Sequence, residues 1–320
     1  MTADGVLTRP DVEVIKRSAG RRLLWLAVLV VVLLVIVVAS VIFGVRAVSL
    51  DDALAALTGQ ATTAEQAAAV ARLPRTVLGL LAGMSLAIAG GAMQAVTRNP
   101  LADPGIFGVL SGASLAVVIG LAFLDLSHPY AQLLIAVLGA GAAAGFVYGV
   151  GSLGRGGATP LKLALAGAAT SAACSSLVSA ILLPRVRVMD SFRFWQIGGI
   201  GGATWDRVGL VAPFLMAGAL ICLFSARGMN SLALGDDVAT GLGENVMRTR
   251  LVASIGAVIL CGVTTAVCGP IAFVGLIVPH LCRLLVGTDH RWMLPFAGLA
   301  GACLLLAADT LGRVVTSNSE

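Results

Sequence analysis

The sequence predicts an all-α fold, a polytopic integral membrane bundle of helices. Three observations carry this. Of 320 residues, 58% are hydrophobic and only 12% charged, with a mean hydropathy of +0.98. A soluble chain of this size carries about 25% charge. Apolar runs near the length that crosses about 30 Å of hydrocarbon recur from end to end. Glycine is abundant, at 39 residues, which suits helices whose backbones approach closely in lipid.

The first span is predicted over 23–45, behind the basic cluster Lys16, Arg17, Arg21 and Arg22. That run is too long for a secretory h-region and lacks a small-x-small cleavage site, so it is expected to stay as a span with its basic flank in the cytoplasm. Residues 1–22 then form a cytoplasmic basic N-terminus, and 23–320 a single transmembrane domain. Further spans are predicted over 76–96, 106–124, 133–151, 161–183, 208–224, 251–272 and 293–311, with a short apolar piece over 273–285. Pro270 divides 251–272 from 273–285, because proline removes a backbone donor and clashes one turn back. The polar stretches 50–75 and 229–248 read as loops with short helical pieces. Spans two and three resemble the pair at 251–285: an arginine border, a Gly/Ala-rich helix and a proline break, a weak internal repeat of the kind transporters carry.

Started inside, the alternation places more basic residues in the cytoplasm than outside, but only weakly. Arg46, Arg72, Arg75, Arg185, Arg187, Arg193, Arg207 and Arg313 fall on the outer side. Outer arginines work against insertion bias, so some of them are expected to have a task there. Gly79 and Gly83, and Gly141, Gly145 and Gly149, stand one turn apart and are expected to pack helices within the chain.

Enzyme chemistry is not indicated. His128, His280 and His290 are scattered near span ends, and HExxH, GxSxG and GxxxxGK[ST] patterns are absent from the sequence. The cysteines Cys174, Cys222, Cys261, Cys268, Cys282 and Cys303 all lie in apolar runs without CxxC spacing and read as small buried hydrophobes. The net charge of +5 comes without an aromatic-interleaved basic run, which argues against nucleic acid as a partner. No catalytic, cofactor-binding or metal-binding residue is therefore expected.

Two features are more specific. Asp309 and Arg313 share a helix face at i,i+4 and are expected to pair. An intramembrane acid can also mark a proton pathway, which keeps an ion-gradient-driven secondary transporter as the alternative. The segment 231–243, SLALGDDVATGLG, places Leu234, Val238 and Leu242 at helical spacing, with Gly235 for a turn and Asp236 expected to cap and charge the start of a short helix. Such an amphipathic piece docks into a partner's groove or rests on lipid.

Four motifs in order carry a family resemblance: RLPRT at 72–76, QAVTRNPLADPGIFGVLSGA at 94–113, LALGDDVATGLG at 232–243 and GPIAFVGLIVPHLCRLLVGTDHR at 269–291. They resemble the FecCD family, the permease subunits of ATP-driven importers of iron–siderophore complexes, haem and cobalamin. The resemblance implies a permease of the inner membrane that works as a homo- or heterodimer. It also implies partner ATPase subunits, which hold ATP and Mg, and an extracytoplasmic substrate-binding protein. By motif position, Arg72, Arg75 and Arg313 are implied to dock the binding protein. Leu234, Gly235, Asp236, Val238, Ala239, Leu242 and Gly243 are implied to couple to the ATPase, and Ala158, Thr159, Pro160, Leu161 and Lys162 to form a cytoplasmic gate. The span at 161–183 resembles a pathway-lining helix, and Asn99, Pro100, Leu101, Pro104 and Gly105 match a structural motif. The family pattern continues past residue 320 into a tenth span, so nine spans of ten are visible.

Overall fold

A computed structural model describes residues 19–44, 48–57, 63–126, 128–154 and 159–317. Among them every regular element is helical. Helix α1 is Ala19–Ile42, α2 Leu50–Leu57 and α3 Ala64–Thr97. A 3-10 turn at Pro104–Phe107 leads into α4, Val109–Phe123, and α5 is Pro129–Gly151. Then follow α6 at Pro160–Leu182, α7 at Val186–Ile197, α8 at Trp205–Phe224, α9 at Ala226–Ala233 and α10 at Asp236–Gly241. The last three are α11, Val246–Cys268, α12, Val274–Val286, and α13, His290–Ser317. Seven of these, α1, α3, α5, α6, α8, α11 and α13, are long and apolar enough to cross a membrane, while α4 and α12 are shorter apolar helices.

The centre of the bundle is α3. Of its apolar window 78% is buried, against 11% for α6. It packs on α8, α11, α12 and α13, with Met93, Val96, Leu260 and Leu294 fully enclosed. Close backbone approach makes this possible. A Cβ on Gly83 would strike the Gly301 carbonyl of α13, and one on Gly90 the Gly275 carbonyl of α12. Gly112 and Gly139 bring α4 and α5 together in the same way.

The structure corrects several expectations. The second span begins at Ala64, well before residue 76, because Thr63 and Gln66 form a capping box: the Thr63 hydroxyl accepts from the Gln66 N–H while the Gln66 side chain accepts from the Thr63 N–H. Its 34 residues reach about 51 Å, so the first turns extend past the hydrocarbon. Pro74 lies inside this helix, and the RLPR motif is a stretch of helix rather than a loop border. The stretch 50–75 is accordingly helical in most of its described part. Helix α7 is an unanticipated element. Its mixed sequence of apolar and charged residues buries one anchor, Phe192, in a helix that packs on α4. Gly141, Gly145 and Gly149 do not pack helices within the chain, since a Cβ on any of them would meet nothing within 4 Å.

The break between α11 and α12 falls where Pro270 places it. The backbone turns through Gly269 (φ +71°) and Phe273 (φ +69°). The Gly199 N–H donates to the Cys268 carbonyl at 2.6 Å, which ties the break to the end of α7. All six cysteines are buried as unpaired thiols.

The two kinds of glycine separate in a stability test. Gly90→Ala forces α3 away from α12 and should destabilise the chain by about 1–3 kcal/mol. Gly145→Ala enters open space and should be neutral or stabilising by about 0.5–1 kcal/mol. Size-exclusion of detergent-solubilised protein after graded heating reads both, and equal midpoints would contradict the packing.

Candidate functional site

Two polar clusters sit at opposite ends of the bundle. The first gathers the three arginines singled out from sequence. A helix leaves its last carbonyls without partners, and in a membrane these must be satisfied from elsewhere. For α1 the partners are arginines from two other helices. Arg72 Nη1 donates to the carbonyls of Val41 and Ile42 at 2.8 and 2.9 Å. Arg313 donates to the carbonyls of Ser40 and Phe43 at 3.1 and 3.2 Å and to the Ser40 hydroxyl at 3.0 Å. Positive charge at this helix end also complements the negative end of its dipole.

One carboxylate holds the cluster together. Asp309 pairs with Arg313 at 3.1 Å, as the i,i+4 spacing predicts. It also receives a fork from Arg75, with contacts of 2.6, 3.0 and 3.2 Å. The Asp309 side chain is 10% exposed and Arg75 27%. The Arg75–Asp309 pair was beyond sequence reasoning, because 234 positions separate the partners.

The opposite end carries the segment around Asp236. Gly235, with φ +108°, turns the chain from α9 into α10. Asp236 makes no capping hydrogen bond, contrary to the sequence reading. Its carboxylate instead bridges two arginines: Arg98 at 2.6 Å, just past the end of α3, and Arg250 at 2.9 and 3.1 Å, on α11. Arg250 is 5% exposed, so Asp236 compensates a charge taken out of water. Helix α10 ends in a Schellman motif. The Glu244 N–H bonds the Ala239 carbonyl, the Gly243 N–H bonds that of Thr240, and Gly243 has φ +81°. Ala239 faces inward and is fully buried, whereas Leu234, Val238 and Leu242 are more than half exposed. These three form an apolar face uncovered by the described chain.

Helix α9 is fixed from a second side. Asn230 donates to Asp289 at 2.7 Å and accepts from the His290 N–H at 2.9 Å. The Arg291 side chain, and then Asn230, hold the Asp289 carboxyl well below the usual carboxylate range. In the turn after α3, Asp103 caps the 3-10 turn through Gly105 N–H, and burial pushes its carboxyl upward.

Of the expected gate, Ala158 lies outside the described residues. Thr159 caps α6, accepting from the Lys162 N–H at 3.4 Å, and Pro160 takes the first helical position, where its missing donor costs nothing. Lys162 Nζ donates to the Leu153 carbonyl at 3.1 Å, and Leu161 is exposed. Thr159, Pro160, Leu161 and Lys162 are thus adjacent at the start of α6, on the same side of the bundle as Asp236.

Comparison with known proteins fits these motifs into one family. The model of the FecCD transport family matches residues 32–320. The chain belongs to this family. It is 45% identical over 278 residues to the ferric enterobactin transport system permease protein FepD of Escherichia coli, covering 86% of this chain and 83% of that one. It is 41% identical to the Fe(3+)-citrate import system permease protein YfmD of Bacillus subtilis, covering 93% and 89%. It is also 36% identical to the hemin transport system permease protein HmuU of Yersinia pestis, covering 78% and 75%. A metal-chelate type ABC transporter solved in an inward-facing conformation superposes with a TM-score of 0.80 at 26% identity, over 92% of this chain and 91% of that one.

Asp309→Asn in this FecCD chain strands two arginines and should cost about 3 kcal/mol, read as a lower thermal midpoint. Asp289 allows a pH test. Its folded carboxyl is held lower than its unfolded one, so its contribution is complete above the ordinary carboxylate range and drains away as pH falls below it. The stability gap between wild type and Asp289→Asn should therefore shrink between pH 6 and about pH 3. A gap independent of pH would contradict the pairing.

Proposed function

We propose that the chain is the membrane permease subunit of an ATP-driven importer and carries a ferric siderophore or similar large metal chelate inward across the inner membrane. The single observation behind this is a FecCD chain whose α9–α10 segment is clamped to the bundle by Asp236 while Leu234, Val238 and Leu242 face outward. An apolar helical triplet on a rigid mount suits transmission of force from a partner, here an ATPase that supplies the motor. The long helices with α4 and α12 make nine crossings, with the N-terminus in the cytoplasm and Asp236 on the cytoplasmic side.

Two further contacts complete the assembly. At the outer end the cluster of Arg72, Arg75 and Arg313 faces acidic groups of a substrate-binding protein, a reading that rests on the positions of these residues in the family motifs. A second permease copy, identical or related, packs on the little-buried α6, whose Thr170, Ser176 and Ser179 hydroxyls bond their own helix carbonyls. The self-satisfied hydroxyls make a smooth, mildly polar wall for a bulky chelate. ATP shifts the equilibrium between inward- and outward-open states by binding one of them better.

Reconstitution into liposomes with the ATPase and binding protein tests this. Uptake of ferric siderophore should require ATP, and uptake without the ATPase would refute the reading. Asp236→Ala with Leu242→Asp should leave ATPase turnover but abolish coupled uptake. Arg72→Glu should weaken binding-protein docking about tenfold or more in a chain that remains monodisperse; unchanged affinity would remove Arg72 from the docking surface.

A further inference from the structure

Where α1 begins and α13 starts, a cavity of about 770 Å³ opens among Arg22, Gln94, Arg98, Arg283, Asp289 and Arg291. Two of its four arginines have carboxylate partners inside the chain: Arg98 shares Asp236 with Arg250, and Arg291 pairs with Asp289. The other two have only neutral partners among the described residues. Arg22 donates Nε to the Val286 carbonyl at 3.1 Å and stands 5.8 Å from the centroid of the Trp292 ring. Arg283 donates to the Gln94 side-chain carbonyl, and the Gln94 amide donates onward to the Gly275 and Leu276 carbonyls at 3.2 Å each. The cavity therefore holds two positive charges that no described carboxylate balances.

The same three helices carry an apolar slot one turn further along. Trp25, Leu29 and Val32 of α1 face Leu285 of α12 and Phe296 and Leu304 of α13 across about 250 Å³. Arg22 and Trp25 lie one turn apart on α1, and on α12 Arg283 follows Cys282, which lines the slot, so the cavity and the slot are neighbours along α1 and α12. A tryptophan at this level marks the interface between headgroups and hydrocarbon.

We propose that the cavity and slot together bind one anionic phospholipid, its phosphate on Arg22 and Arg283 and one acyl chain in the slot. A guanidinium takes a phosphate with two parallel hydrogen bonds, and basic pockets between helices recognise acidic headgroups. The slot selects a lipid over other anions, since a soluble phosphate fills only the cavity and an acidic side chain of a partner protein leaves the slot empty. The bound lipid clamps α1 to α12 and α13 at the end opposite the Asp309 cluster. Leu234 of the coupling segment also lines the cavity, but neither Arg22 nor Arg283 is placed in docking, coupling or gating, so the lipid contact can be tested separately from the transport reading.

The purified chain in detergent, titrated with phosphatidylglycerol or phosphatidylcholine and read by native mass spectrometry, provides the test. Phosphatidylglycerol should be retained and phosphatidylcholine not. The double variant R22Q/R283Q should bind phosphatidylglycerol roughly thirtyfold more weakly, while R193Q, at the far end of the bundle, should match wild type. V32W keeps both arginines and fills the slot, and it too should weaken retention; this arm decides the matter where the double variant fails to fold. Equal retention of the two lipids, or wild-type retention in both R22Q/R283Q and V32W, overturns the proposal. Displacement of phosphatidylglycerol by equimolar glycerol 3-phosphate overturns it in favour of a simple anion site. Loss of ATPase binding with lipid retention intact overturns it in favour of a protein-docking cavity.

Discussion

A helix that ends near a membrane leaves carbonyl oxygens pointing at nothing, and the answer to that problem organises one end of this bundle. The carbonyls of residues 40 to 43 are met by guanidiniums from α3 and α13. Arginine suits this because its planar fork stays charged and reaches several acceptors at once. Placing Arg72, Arg75 and Arg313 so close together concentrates positive charge, and Asp309 relieves it by facing two of them. Three helices distant in sequence are joined at one point. Asp309 is thereby occupied as a structural counter-ion, which argues against the proton-relay role that an acid within a span first suggests.

The other end solves a related problem. Arg250 is nearly enclosed on α11, and a buried cation needs a carboxylate. Asp236 supplies it from outside the bundle and also takes Arg98, so the short α10 is fastened to α3 and α11 together. Asn230, Asp289 and His290 fasten α9 to the start of α13. The exposed leucine and valine face is therefore held against the bundle from two sides. Helix α3 spans both ends, with Arg75 in one cluster and Arg98 just past its last turn in the other. Its glycines hold it close against α12 and α13.

Polar satisfaction and close packing leave other surfaces unused by the chain itself. Helix α6 is barely covered, and the Gly141, Gly145 and Gly149 stripe of α5 meets nothing within 4 Å. Small residues at one-turn spacing permit backbone approach without saying which backbone approaches. Here the contacts inside the chain use a different set, pairing Gly83 with Gly301, Gly90 with Gly275 and Gly112 with Gly139. The spacing alone contains no record of that choice.

The sequence by itself determined the all-helical membrane class, the place of most apolar helices, the Pro270 break, the Asp309–Arg313 pair and the apolar spacing around Asp236. These are local quantities: hydropathy over some twenty residues, a proline's missing donor and side chains one turn apart. The family, too, was legible from four ordered motifs. Only the tertiary structure decided that Arg75 meets Asp309, that Arg98 and Arg250 share Asp236, and that Arg72 and Arg313 close α1. Each joins residues far apart in the chain, and an ion pair across such a distance exists only once packing has fixed where the helices stand. Helix α7 escaped sequence reading for the same reason, since it has no apolar run of spanning length and its one buried residue, Phe192, is placed by packing on a distant helix, α4.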